Sequence, residues 1–171
     1  MAGNAAQQLQ ECLRDKLVIV GIGNPLRGDD AAGPRLIELL RERAPASWRL
    51  IDAGSAPERH LGEVEAAAPA AVLLIDAVDW GAPPGEVAFF EETNLPQRAC
   101  CTHDVSLRLV MQYLRLQTGA TVGLVGIQPA QTVFGAALSG PVEAALRRLV
   151  ELLSGEQPKQ AVNLAGVSAW T

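Results

Sequence analysis

The sequence predicts an α/β fold: a three-layer sandwich around a five-stranded, mostly parallel sheet with one antiparallel edge strand. Three observations lead there. Short apolar runs alternate with longer segments of helical periodicity, the pattern of a sheet covered by helices on both faces. One apolar run, "EVAFF", follows its predecessor after the turn "GAPPG" and not after a helix, so it is expected to pair antiparallel at an edge. Acidic residues recur where the other runs end, and open α/β sheets bind ligands beyond the carboxyl ends of their strands.

Taken in order, residues 1–16, "MAGNAAQQLQECLRDK", form a polar leader without an apolar signal core. "KLVIVGIG" reads as a buried strand that enters the glycine-rich turn "NPLRGDDAAG". "GPRLIELLRERA" reads as a helix, with Pro34 suited to its first turn and Leu36, Ile37, Leu39 and Leu40 as its apolar stripe. "WRLIDAGS" is a second strand ending at Asp52, and "PERHLGEVEAAA" a helix expected to be irregular near Gly62. "AVLLIDAVDWG" is a third strand, ending at Asp76. "HDVSLRLVMQYLRLQTG" is an amphipathic helix with Val105, Leu107, Leu109, Val110, Leu114 and Leu116 expected mostly inward and Gly119 as its stop. "TVGLVGIQP" is the last strand, and "GPVEAALRRLVELLSG" the closing helix. Residues 17–156 are thus expected to form a single domain and 157–171 a tail of weak periodicity.

Composition narrows the function classes. The chain has 171 residues with 19 acidic and 14 basic side chains, a formal net charge of −5. The basic residues are scattered, which argues against nucleic acid and against an anionic membrane surface. The apolar runs are too short to span a bilayer, and a cytoplasmic protein is expected. Three cysteines, two of them adjacent at Cys100 and Cys101, make no disulfide framework, so reduced thiols are expected.

The turn after the first strand invites a dinucleotide, yet the fingerprint G-x-G-x-x-G would need glycine where Leu26 stands. Asp29 and Asp30 would also repel a pyrophosphate, and no P-loop is present. A small-ligand or nucleotide-binding module is therefore disfavoured. A cation is the other reading. Asp30, Asp76 and His103 are distant in sequence but fall at strand ends or a helix start on the expected binding edge. Carboxylates and imidazole suit zinc, nickel or a similar cation, and the like charges would repel one another without a cation or proton between them.

Each residue also has a plainer reading. Asp30 would cap the following helix, Asp76 would bond loop amides, and His103 would begin its helix and bond a carbonyl. Singly the plain readings prevail, and the joint placement shifts the balance toward a metal without deciding it. No G-x-S-x-G elbow appears. Cys101 lies two residues before His103, but spacing alone makes no thiol–imidazole pair, and an inert buried cysteine is commoner. His60, the other histidine, is expected on a solvated surface.

The stretches "GIGNPLRGDDAAGP", "IDAGSAPE", "LLIDAVDWGAPPGEV", "THDVSLRLVMQYL" and "VGIQP" together resemble the NiFe-hydrogenase maturation endopeptidases, of the hydrogenase 3 (formate hydrogenlyase) type. They occur in family order over most of residues 17–153. The resemblance implies an α/β sandwich that removes a C-terminal extension from the hydrogenase large-subunit precursor after nickel insertion, cutting just after a basic residue. It implies Asp30, Asp76 and His103 as metal ligands, the same three that the sheet-edge reading selects. It implies Asp30, Asp52 and Asp76 as the catalytic carboxylates, Asp52 lying in the family's D-G-G type loop. The nickel would be supplied by the precursor, with another divalent metal as the occupant in isolation. The partner is the precursor, and a monomer is the default expectation. A non-catalytic nickel-binding assembly chaperone is the alternative. Ala31 and Ala53 stand where glycine is common in the family, which would restrict positive φ in both loops. Either a metal activates water or polarises the carbonyl, or Asp52 or Asp29 acts as general base. "GIQP", Gly126 to Pro129, carries no assigned role beyond a strand-end turn.

Overall fold

The first apolar run becomes β1, Leu17–Ile22, in a computed structural model that describes residues 16–96 and 106–155. The later strands are β2 (Arg49–Gly54), β3 (Ala71–Ala77), β4 (Val87–Phe90) and β5 (Thr121–Ile127). They form a five-stranded sheet in the order β2-β1-β3-β5-β4. β1 pairs parallel with β2 and β3, and β3 pairs parallel with β5. β4 pairs antiparallel with β5, with Val87 opposite Ile127 and Phe90 opposite Leu124. The short "GAPPG" connection therefore produces the antiparallel edge strand expected of it. Every residue of β1 is buried, because a strand covered on both faces has no polar side, and its sequence is a continuous apolar run.

Among the described residues four α-helices cover this sheet: α1 (Ala32–Leu40), α2 (Leu61–Ala66), α3 (Leu107–Thr118) and α4 (Gly140–Leu153). Leu36, Ile37 and Leu40 of α1 and Leu146 and Leu149 of α4 share one apolar cluster with Ile19, Leu73 and Val125. Val64 of α2 and Val110, Met111 and Leu114 of α3 share a second with Val18, Val20, Leu74 and Leu124. The sheet is the middle of three layers.

The α1 layer sits unusually close to the strands. A Cβ on Gly33 would lie 2.2 Å from the Ile22 carbonyl oxygen, and one on Gly21 would lie 2.4 Å from the Gly33 carbonyl oxygen. Glycine at both positions lets the first turn of α1 press against the ends of β1 and β3.

Three local expectations change. In α3, Leu109 and Leu116 face solvent and Met111 is buried. The inward stripe is Leu107, Val110, Met111 and Leu114, an i, i+3, i+4, i+7 set that places 109 and 116 on the opposite side. Val105 lies outside the described residues. The segment after β2 is a 3₁₀ turn, Pro57–His60, followed by α2, so its irregularity falls before Gly62. β2 continues past Asp52 to Gly54. Gly119 ends α3 as expected, at φ 67° with its N–H donating to the Arg115 carbonyl at 3.0 Å.

Candidate metal and peptidase site

The turn between β1 and α1 carries two adjacent aspartates with opposite fates. It is a 3₁₀ turn, Gly28–Ala31, in which both carboxylates are buried. Asp29 is fully enclosed. Its Oδ1 accepts the Ser139 N–H at 2.6 Å, and its Oδ2 accepts the Ala130 and Gln131 N–H groups at 2.8 and 3.2 Å and the Ser139 hydroxyl at 2.9 Å. A carboxylate so saturated is a strut that fastens the 130–139 segment to the turn. It has no lone pair directed at a substrate water, which removes Asp29 as a general base.

Asp30 is held differently. Its Oδ2 accepts the Asn24 N–H at 2.9 Å. It does not cap the helix: the residue at the N-cap of α1 is Ala31, and no side chain bonds there. The chain reaches Asp30 through Gly23, at φ 139°, where a Cβ would fall 1.8 Å from the Asp30 carbonyl oxygen. Ala31 has φ −74° and ψ −2°, and Ala53 has no positive φ. Neither alanine is strained by standing where the family commonly has glycine.

Asp76 lies within β3, in register with Gly126 of β5. It is buried, and its Oδ1 has no hydrogen-bond partner among the described residues. Burial, and then the Asp30 charge, push its carboxyl well above the ordinary range, against the opposing effect of a backbone hydrogen bond from Ala77. Two carboxylates from different elements thus lie near enough to repel each other, and one oxygen of Asp76 has no partner among the described residues. That donor set suits a divalent cation, which would relieve the repulsion and the orphaned oxygen together. Among the described residues no third His, Cys, Asp or Glu completes a cluster. His103, with Cys100 and Cys101, lies outside the described residues.

Asp52 is on the same sheet edge but not in the same site. Its backbone is in register with Gly21, so β1 separates it from β3. Its neighbours Ile51 and Ala53 point into the α2/α3 cluster, so Asp52 points to the α1 face. Asp76, two residues after Leu74, points to the α2/α3 face. Asp52 is exposed, with Oδ1 accepting the Gly54 N–H at 3.1 Å. It lines a cleft of about 410 Å³ with Pro34, Arg35 and Glu38 of α1 and with Ala136 to Leu138. Asp30 lines a separate cleft of about 270 Å³ with Ala77, Asp79 and residues 129–132. The sheet edge collects the acids and then divides them, with the 130–139 segment between.

Gln128 is the functional-edge residue that sequence reasoning missed. It is buried, and its Oε1 accepts the N–H groups of Trp80 and Ala82 at 3.0 and 3.1 Å while its Nε2 donates to Asp79 Oδ1 at 2.9 Å. It holds the loop after β3 beside the Asp30 cleft, which gives the "GIQP" turn a structural role. A polar residue directly after a buried strand was the available signal. His60 keeps its surface role, with Nδ1 3.4 Å from Glu63 Oε2 on a partly exposed side chain.

A family profile described as HycI, hydrogenase maturation protease, matches residues 34–156. The chain belongs to the hydrogenase maturation protease family. It is 31% identical over 139 residues to the hydrogenase 3 maturation protease of Escherichia coli K12, covering 81% of this chain and 88% of that one. The crystal structure of a NiFe hydrogenase maturation protease, HycI, from Thermococcus kodakarensis KOD1 superposes with a TM-score of 0.79 at 32% identity, over 86% of this chain and 97% of that one. The solution structure of the endopeptidase HycI from Escherichia coli superposes with a TM-score of 0.75 at 29% identity, over 86% and 98% of the two chains. As a member of this protease family the chain is a peptidase. Asp52, Asp76 and His103 fall inside the matched span, and Asp30 just before it. No described helix is long and apolar enough to cross a membrane.

Proposed function

We propose that this protease removes the C-terminal extension of a NiFe-hydrogenase large-subunit precursor after nickel insertion, and that Asp30 and Asp76, joined by His103, recognise the nickel seated in that precursor. The observation that carries this reading is the Oδ1 of buried Asp76, beside Asp30, which has no hydrogen-bond partner among the described residues. A substrate-borne nickel ion brings positive charge to the two carboxylates on docking. In isolation another divalent metal takes the same ligands. The enzyme works as a cytoplasmic monomer that meets its precursor transiently. Nickel-free precursor brings no cation to the carboxylates and docks unproductively.

Asp52 is the general base in this account. It is the exposed carboxylate of the edge, open to water in a cleft wide enough for side chains flanking the cut. It takes a proton from water as the oxygen attacks the scissile carbonyl, and returns it to the leaving amine as the C–N bond breaks.

Asp52→Asn keeps the Gly54 contact within reach but cannot accept the water proton. The variant is expected to bind nickel-loaded precursor as the wild type does and to lose cleavage by about two orders of magnitude or more. Full activity would remove Asp52 from the mechanism and leave water activated by the metal.

A further inference from the structure

Three large apolar side chains stand in solvent beside the Asp30 cleft. Leu26, Val133 and Phe134 are 59%, 64% and 70% exposed. They belong to two loops distant in sequence, the turn after β1 and the segment after β5, which the hydrogen bonds of the site bring together. Gly135 N–H donates to the Leu26 carbonyl at 2.8 Å, Gly28 N–H to the Ala136 carbonyl at 3.2 Å, and Arg27 Nε to the Thr132 carbonyl at 3.3 Å. Asp29 adds its bonds to Ala130, Gln131 and Ser139. Backbone held this way cannot fold the three side chains back into the core. An ordered apolar surface kept in water marks an interaction site, and its ordering cost is met before any partner arrives.

Its connections say which partner. Asn24 donates its N–H to Asp30 Oδ2 and accepts the Leu26 N–H on its own Oδ1, both at 2.9 Å. Gln131 and Thr132, adjoining Val133, line the cleft that contains Asp30. Whatever presents a metal to Asp30 through that cleft therefore lies against this surface. We propose that Leu26, Val133 and Phe134 form a docking ridge for an apolar patch on the folded body of the nickel-bearing precursor, apart from the segment that is cut. The inference rests on the functional reading above. The ridge carries no charge of its own, and the Arg27 guanidinium beside it is turned to the Thr132 carbonyl, so the matching patch is apolar.

The test is the processing kinetics of nickel-loaded precursor by Leu26→Ser, Phe134→Ser and the double variant. Leu116→Ser serves as control, since Leu116 is an exposed apolar residue on α3, across the sheet. The double variant is expected to raise KM roughly tenfold or more with kcat unchanged, because the ridge touches the precursor's body and not the reacting bond. Thermal midpoints of the variants should match the wild type, and the control should match it in kinetics. Unchanged KM in the double variant would overturn the ridge, as would a wild-type dimer in sedimentation that the ridge variants dissociate, since the occupant would then be a second copy. A wild type that neither binds nor cleaves any nickel-loaded precursor would instead overturn the functional reading on which the ridge depends.

Discussion

At the residue scale, the decisive contrast is among aspartates. Asp29 and Asp30 are adjacent and chemically identical, yet one accepts four hydrogen bonds from the 130–139 segment and the other joins Asp76. Sequence could not separate them, because the donors that occupy Asp29 lie about a hundred residues away in the chain. Asp76 was legible as a candidate from its position at a strand end, but that its Oδ1 lacks a partner among the described residues appears only once β5 and the Asp30 turn are packed around it. This has a consequence for stability. The folded Asp76 carboxyl holds its proton to higher pH than the unfolded one. Its contribution is therefore present below the ordinary carboxylate range and lost as pH rises through the folded value. For metal-free protein, Asp76→Asn is expected to raise the thermal midpoint at pH 7 and to flatten the decline that the wild type shows above about pH 4. Thermal unfolding from pH 4 to 8 in the presence of a chelator measures this, and parallel pH profiles would contradict it.

At the scale of elements, the strands were the most legible part. β1, and β3 as far as Ile75, are uninterrupted apolar runs because helices cover both their faces, and "EVAFF" revealed its direction by its short connection. The face of α3 was less legible. Its sequence has apolar residues on both sides, and Leu109 and Leu116 obscure the stripe that packing selects. The side on which Asp52 projects was hidden for a related reason: alternation along β2 has no meaning until the register with Gly21 is known. The close seating of α1 on the strand ends was not visible at all, since glycines in the turn serve a loop as readily as a contact. Gly33→Ala would put a methyl group against the Ile22 backbone and the Ile75 carbonyl oxygen at 2.6 Å. Neither is the movable tip of a side chain. The substitution is expected to cost about 3 kcal/mol or more, or to prevent folding, while Gly62→Ala, which meets nothing within 4 Å, should be tolerated. Urea midpoints of the two variants measure the difference, and equal midpoints would refute the tight seating of α1.

At the scale of the molecule, the sheet places its acids on one edge, and the Asp29-anchored segment divides that edge into two clefts and an apolar ridge. The proposed metal-recognition point, the water-facing carboxylate and the proposed docking surface then lie on one side of the protein, each held by a different element. Such a division suits an enzyme that inspects a folded partner before cutting it: on the proposed function the nickel, the scissile segment and the partner's body would be engaged at separate places and would all have to fit together. The most direct test of this is the intact mass of a large-subunit precursor after incubation with the protein, nickel-loaded against nickel-free. Loss of a C-terminal peptide from the nickel-loaded sample alone is the predicted result. Cleavage of both samples alike, or unchanged mass in a complex that forms, would contradict a nickel-gated peptidase.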